Sequence, residues 1–206
     1  NSDYSYIFDT VLPTIGMKRF PDAILHRDPE HRRIFREHML GTLEHLHNFP
    51  SILYYTIFNE GWGQFSADEA YGILKAKDGT RIIDTTSGWF RRKVSDVDSR
   101  HIYFKPLIVK DRDERPLVIS EFGGFAHRCE GHLFSEKNYG YTTFATQKEL
   151  EDRIASLYEN EVLPLAKAGA SAFVYTQVSD VEDETNGIMT YDRKVKKLNP
   201  ERMREV

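Results

Sequence analysis

Thiols are almost absent from this chain. Cys129 is the one cysteine in 206 residues, which excludes an internal disulfide and any cysteine-based zinc cluster. That scarcity fits a reducing compartment, and a cytoplasmic parent is the favoured expectation, with a periplasmic or secreted one left open. No run of about 18 apolar residues occurs, so no membrane span is expected. There is no paired-histidine zinc motif either. His26, His31, His38, His45 and His47 gather around one helical stretch, where they read as its exposed face. No metal and no cofactor are expected. A basic stripe is also missing: 28 Lys and Arg are outnumbered by 32 Asp and Glu, for a net charge of -4. The densest basic run, Arg91, Arg92 and Lys93, is short and reads as solvated. A nucleic-acid partner is therefore not expected. Gly61 and Gly63 lack the rest of a phosphate-loop spacing, and Glu60 beside them would repel phosphate. The chain opens on Asn1 with neither an initiator Met nor a signal peptide, and so reads as the cut edge of a larger protein.

Apolar residues make up 40% of the chain and charged residues 29%, the balance of an ordinary globular protein with a real core. Two runs stand out. One is SILYYTIFNEGWG at 51–63, the other RPLVISEFGG at 115–124. Each is an apolar, β-branched stretch that reaches a carboxylate, Glu60 or Glu121, and then breaks at glycine. A charge at the end of a buried strand is costly unless it has a task or a partner.

The remaining pattern alternates. Residues 1–27 read as an irregular loop region. Asp28 followed by Pro29 starts a helix that runs to about Asn48. Residues 52–58 read as a buried strand, and 66–77 as a helix capped by Ser66 with Glu69 three residues on. Strands follow at 81–86, 102–104 and 117–120. A long amphipathic helix spans 146–168, with Pro164 as a kink or break, and Gly169 closes it before a last strand at 170–176. Asn186 and Gly187 suggest a tight turn. The tail beyond Arg193 is polar and reads as surface. Alternating strands and helices predict an α/β layer fold with a mostly parallel sheet. On a (β/α)8 barrel, five visible strands correspond to strands four to eight, with the first three absent.

On such strands, two glutamates flanking one substrate bond are the equipment of glycoside hydrolysis. About 5–5.5 Å between them gives a covalent intermediate and retention, and about 6.5–9.5 Å gives inversion. Asn59, beside Glu60, suits a sugar hydroxyl next to the reacting carbon, which makes Glu60 the acid/base candidate. Glu121 is then the nucleophile and must stay ionised. His101 and Tyr103 are candidate donors. Trp62, Trp89 and Tyr175 are candidate sugar platforms, with rim packing as the competing reading. Gln177, Asp180, Glu182 and Asp183 follow the last strand and suit either sugar hydroxyls or support of their own loop.

The runs NFPSIL (48–53), FNEGWGQF (58–65), DTTSGW (84–89), HIY (101–103), ISEFGG (119–124), VYTQVSDVE (174–182) and NGIMTYDR (186–193) together resemble glycoside hydrolase family 2, the group of β-galactosidases, β-glucuronidases and β-mannosidases. They occur in the family's order across roughly residues 28–197. Phe49 stands where the family usually has His, and Tyr55 where it commonly has Trp. The resemblance implies a TIM-barrel catalytic domain preceded by β-sandwich domains, and retaining hydrolysis with Glu60 as acid/base and Glu121 as nucleophile. It also implies sugar contact by Asn59, a place for Tyr103 near the nucleophile and no required metal, though some relatives bind divalent cations. The chain would then be the C-terminal portion of that barrel. Its partners would be a carbohydrate substrate, the absent β-sandwich domains and first strands, and, through an unclosed edge, a possible second copy. The competing expectation is a non-catalytic carbohydrate-binding or structural barrel fragment.

Overall fold

A computed structural model describes residues 26–60 and 64–206. The described residues divide into two compact units: those up to His101 with Arg112–Leu117, and Ile102–Asp111 with Val118–Val206.

In the first unit, α1 (Pro29–Leu46) starts as its sequence predicts. The Asp28 side chain accepts from the Glu30 N–H, and Pro29 occupies the first turn. Strand β1 (Tyr54–Phe58) is shorter than expected and mostly half-buried, with Phe58 its buried residue. It pairs in parallel with β2 (Ile82–Thr86), Tyr55 opposite Ile83 and Phe58 opposite Thr86. Between them lies α2 (Ala67–Lys77). Ser66 holds the cap position but makes no cap hydrogen bond, because its backbone is left-handed at φ 42°. Two small clusters form the core here. Phe58 and Phe65 pack with Phe35 of α1, while Leu43, Leu74 and Ile83 join the two helices to the sheet. Arg81 ties up the end of α1. Its guanidinium donates to the carbonyls of His47 and Ile52 and to Asp78, supplying partners that a helix terminus otherwise lacks. Strand β3 (Asp98–Ile102) closes this unit, with Asp98 buried between Arg91 and Arg100.

The second unit is built on β4 (Leu117–Gly123) and its sheet neighbour β7 (Ala170–Thr176). A short parallel pair, β5 (Phe125–Ala126) and β6 (Thr142–Thr143), follows β4. Phe122 is fully buried against the rings of Tyr158, Phe173 and Tyr175. The expected long helix is three pieces: α3 (Gln147–Leu157), a π-helical turn (Tyr158–Val162) and α4 (Leu163–Lys167). Thr146 and Glu149 form a capping box at its start. Pro164 has no N–H to give and its ring would collide with the carbonyl four residues back in a continuous α-helix, so the wider turn precedes it. That turn also lengthens the repeat where the buried positions need it, since Leu150, Ile154, Leu157, Val162 and Leu165 are spaced four, three, five and three apart. The tail is less superficial than its polarity suggested. Lys197 is fully buried, donating to the carbonyls of His127 and Thr185 and to Asp180 at 2.7 Å. The tail ends in α5 (Pro200–Arg204).

The (β/α)8 expectation is not met. The described strands fall into three small separate sheets of two, three and two strands, and none closes. A parallel barrel needs a crossover helix after each strand. Among the described residues, helices follow β1 and β6, whereas the stretches after β2 and β3 are irregular.

Two outcomes test this packing. Lys197→Met leaves Asp180 buried without its cation and should destabilise the protein by about 3–5 kcal/mol in denaturant unfolding. In the first unit, the Thr80 hydroxyl and N–H and the Arg81 guanidinium hold the Asp78 carboxyl well below its ordinary 3.8, against the opposing effect of burial. A depressed carboxyl contributes stability above its unfolded value and loses it as pH falls through the folded one. Asp78→Asn should therefore lower stability at neutral pH and flatten the decline below about pH 4, as read from unfolding midpoints across pH.

Candidate active site

Glu60 lies two residues past the end of β1 and has φ +51°, a left-handed backbone rare for a residue with a side chain. Its Oε1 is hydrogen-bonded to His101 Nδ1 at 2.9 Å, and the His101 side chain is almost completely buried. Gly88, at φ +79°, makes room for this contact. A Cβ there would lie 2.9 Å from His101 Nδ1 and 3.2 Å from Glu60 Cα. Asn59 is exposed and accepts from the Ser87 hydroxyl at 3.0 Å. Trp89 is half-buried, and Trp62 lies outside the described residues. The reading from sequence missed Asp84, on β2. It is fully buried and accepts from the Tyr54 hydroxyl at 2.9 Å, and its Oδ1 has no hydrogen-bond partner among the described residues. Burial pushes its carboxyl up, while bonds from Ser99 and Tyr54 and the charges of His101 and Arg115 act the other way. A buried Asp in the middle of an apolar strand was the available signal.

In the second unit, Glu121 lies inside β4 rather than beyond it. The Tyr103 hydroxyl donates to Glu121 Oε2 at 2.7 Å and lies 2.9 Å from Thr176 Oγ1, at the end of β7. One hydroxyl carries one hydrogen, so Thr176 is the donor in the second bond. Burial first, and then the charge of Glu121, push the Tyr103 phenol far up, which keeps it a donor. Tyr141 stacks on Tyr103 with ring centroids 4.1 Å apart. The two glycines after Glu121 make space for rings. A Cβ on Gly123 would lie 2.3 Å from Tyr175, and one on Gly124 would lie 2.2 Å from Tyr141. Tyr175 packs against Phe122, and burial raises its phenol. Gln177 donates to Glu184 and Asn186, while Asp180 holds the Gly187 N–H and Lys197. Asp183 accepts from Ser135. These bonds give the loop residues a supporting role. Thr176 and Tyr141 had no sequence signal, because both contacts depend on pairings distant in the chain.

Each glutamate thus has a buried hydrogen-bonding partner that orients one carboxylate oxygen. Such groups suit proton transfer or nucleophilic attack.

Comparison adds a likeness of fold. No family model matches the chain, and no curated protein matches it. Among solved structures it is similar to an uncultured Clostridium sp. beta-glucuronidase. The TM-score is 0.54 at 13% identity, over 80% of this chain and 34% of that one. The chain therefore spans about a third of that structure's length.

Gly124→Ala tests the ring packing beside Glu121. Its methyl would press into Tyr141 at a left-handed φ of +67°. The expected loss is about 1–3 kcal/mol, seen in unfolding, together with a changed near-ultraviolet aromatic signal.

Proposed function

We propose that this chain belongs to a retaining β-glycosidase, with Glu60 as acid/base and Glu121 as nucleophile, exo-acting on a β-galactoside, β-glucuronide or β-mannoside. The observation that carries this reading is the Glu121 carboxylate, borne on a strand and hydrogen-bonded by a buried phenol that burial keeps protonated. The likeness of fold to a beta-glucuronidase supports it, as does the second glutamate held by His101.

The chemistry follows in two steps. Glu121 attacks the anomeric carbon as the glycosidic C–O bond breaks, and Glu60 gives its proton to the departing oxygen. Glu60, now a carboxylate, takes a proton from water as that water displaces Glu121 from the same carbon. Two inversions leave the β configuration intact. The Tyr103 hydroxyl donates to Glu121 and orients its carboxylate before attack and after release. His101 holds one oxygen of Glu60 by its hydrogen bond and so restricts the rotamer of that side chain.

Hydrolysis of 4-nitrophenyl β-galactoside, β-glucuronide and β-mannoside tests the proposal. One of them should turn over, with the β anomer as first product by NMR. Glu60→Gln and Glu121→Gln should each lower turnover by about 10⁴-fold, and Tyr103→Phe by about 10²-fold. A folded protein that cleaves none of the three, or variants that retain full rate, would sink it.

A further inference from the structure

Phe104 is hard to account for within the chain. Its backbone is left-handed at φ +59°, and its side chain is 78% exposed. A bulky residue in that region is an outlier that its surroundings must enforce. An apolar ring left in water gains no burial to offset the strain. Neither local preference nor burial among the described residues selects phenylalanine here.

The ring is nevertheless held in a set array. Tyr141 meets Phe104 edge-on, with centroids 5.1 Å apart and planes at 67°. Tyr139, 53% exposed, meets Tyr141 at 5.9 Å and 64°. Tyr141 in turn lies flat on Tyr103, whose hydroxyl bonds Glu121. Gly124 leaves the space that Tyr141 fills. A run of rings therefore starts at the Glu121 carboxylate and ends at exposed Phe104 and Tyr139.

We infer that Phe104 and Tyr139, backed by Tyr141, form a subsite for a second pyranose ring of a β-linked oligosaccharide, next to the sugar attacked at Glu121. This rests on the glycosidase reading above. A pyranose carries C–H groups on its faces and hydroxyls around its rim. An exposed ring buries the face, and the Tyr139 phenol can exchange hydrogen bonds with the rim. A stacked nucleotide fits less well, because a chain of net charge -4 with no basic stripe does not favour phosphate.

Calorimetric titration in a Glu60→Gln background, which binds without turnover, tests the subsite. The probes are methyl β-galactoside against β-1,4-galactobiose, and methyl β-mannoside against β-1,4-mannobiose. The disaccharide of the preferred sugar should bind about tenfold more tightly than its methyl glycoside. Phe104→Gly should abolish that advantage and leave the methyl glycoside unchanged. Its unfolding midpoint should hold or rise, since glycine suits the left-handed backbone. Phe104→Trp should keep the advantage. The subsite is overturned if no disaccharide gains over its methyl glycoside, if the gain survives Phe104→Gly, or if both sugars weaken equally. Aryl glycoside turnover separates the two readings. A gain that survives Phe104→Gly in a protein that cleaves an aryl glycoside removes the subsite alone. A Phe104-dependent gain in a protein that cleaves none removes the hydrolase and keeps the sugar surface.

Discussion

The Tyr103 hydroxyl sits between a carboxylate on β4 and a threonine at the end of β7. A half-buried carboxylate without donors would be expelled to solvent or take up a proton. Here one phenol supplies the donor, and Thr176 supplies the phenol with a donor in turn. Much around it depends on that arrangement. Tyr141 covers the Tyr103 ring, Gly124 gives Tyr141 its place, and Gly123 does the same for Tyr175 against Phe122. Two consecutive glycines after Glu121 are thus explained by sterics: each replaces a methyl that would meet an aromatic ring.

The first unit handles its glutamate by the same logic with different groups. Glu60 is itself left-handed just past β1, is oriented by a buried imidazole and is accommodated by a glycine with no side chain in the way. On β2, Asp84 carries a buried carboxyl with one oxygen bonded to Tyr54. Each of these charged groups thus has a polar partner from its own unit, as Lys197 has in Asp180. The expense of burying charge is what marked both runs in the amino-acid sequence.

What was legible there was local. The cap expected at Ser66 is not made, whereas the cap at Asp28 and the strand 170–176 follow from short-range rules, as does a glutamate at or just past the end of each of two apolar strands. Closure into a barrel does not. It depends on how strands pair across long separations, and the alternation of elements alone suggested more order than the three small sheets possess. The break in the long helix was readable in part. Pro164 announced a disturbance, and the five-residue step from Leu157 to Val162 is the trace of the wider turn that absorbs it. The loop after β7 was read both ways. Its acidic and amide groups suited either a ligand or their own loop; Gln177 bonds the side chains of Glu184 and Asn186, Asp183 accepts from Ser135, and Asp180 holds the Gly187 N–H. Polarity of sequence does not distinguish a side chain facing a ligand from one facing its own loop.

The burial of Lys197 has a chemical corollary. An amine must shed its proton and meet its reagent before it can be acylated. This one is enclosed, and it is bonded to two carbonyls and a carboxylate. Most other lysines of the chain stand in solvent. Amine-directed labelling would therefore mark those first and reach Lys197 only in molecules whose second unit has opened. That makes this single position a natural counter of unfolding events, readable by mass with no added probe.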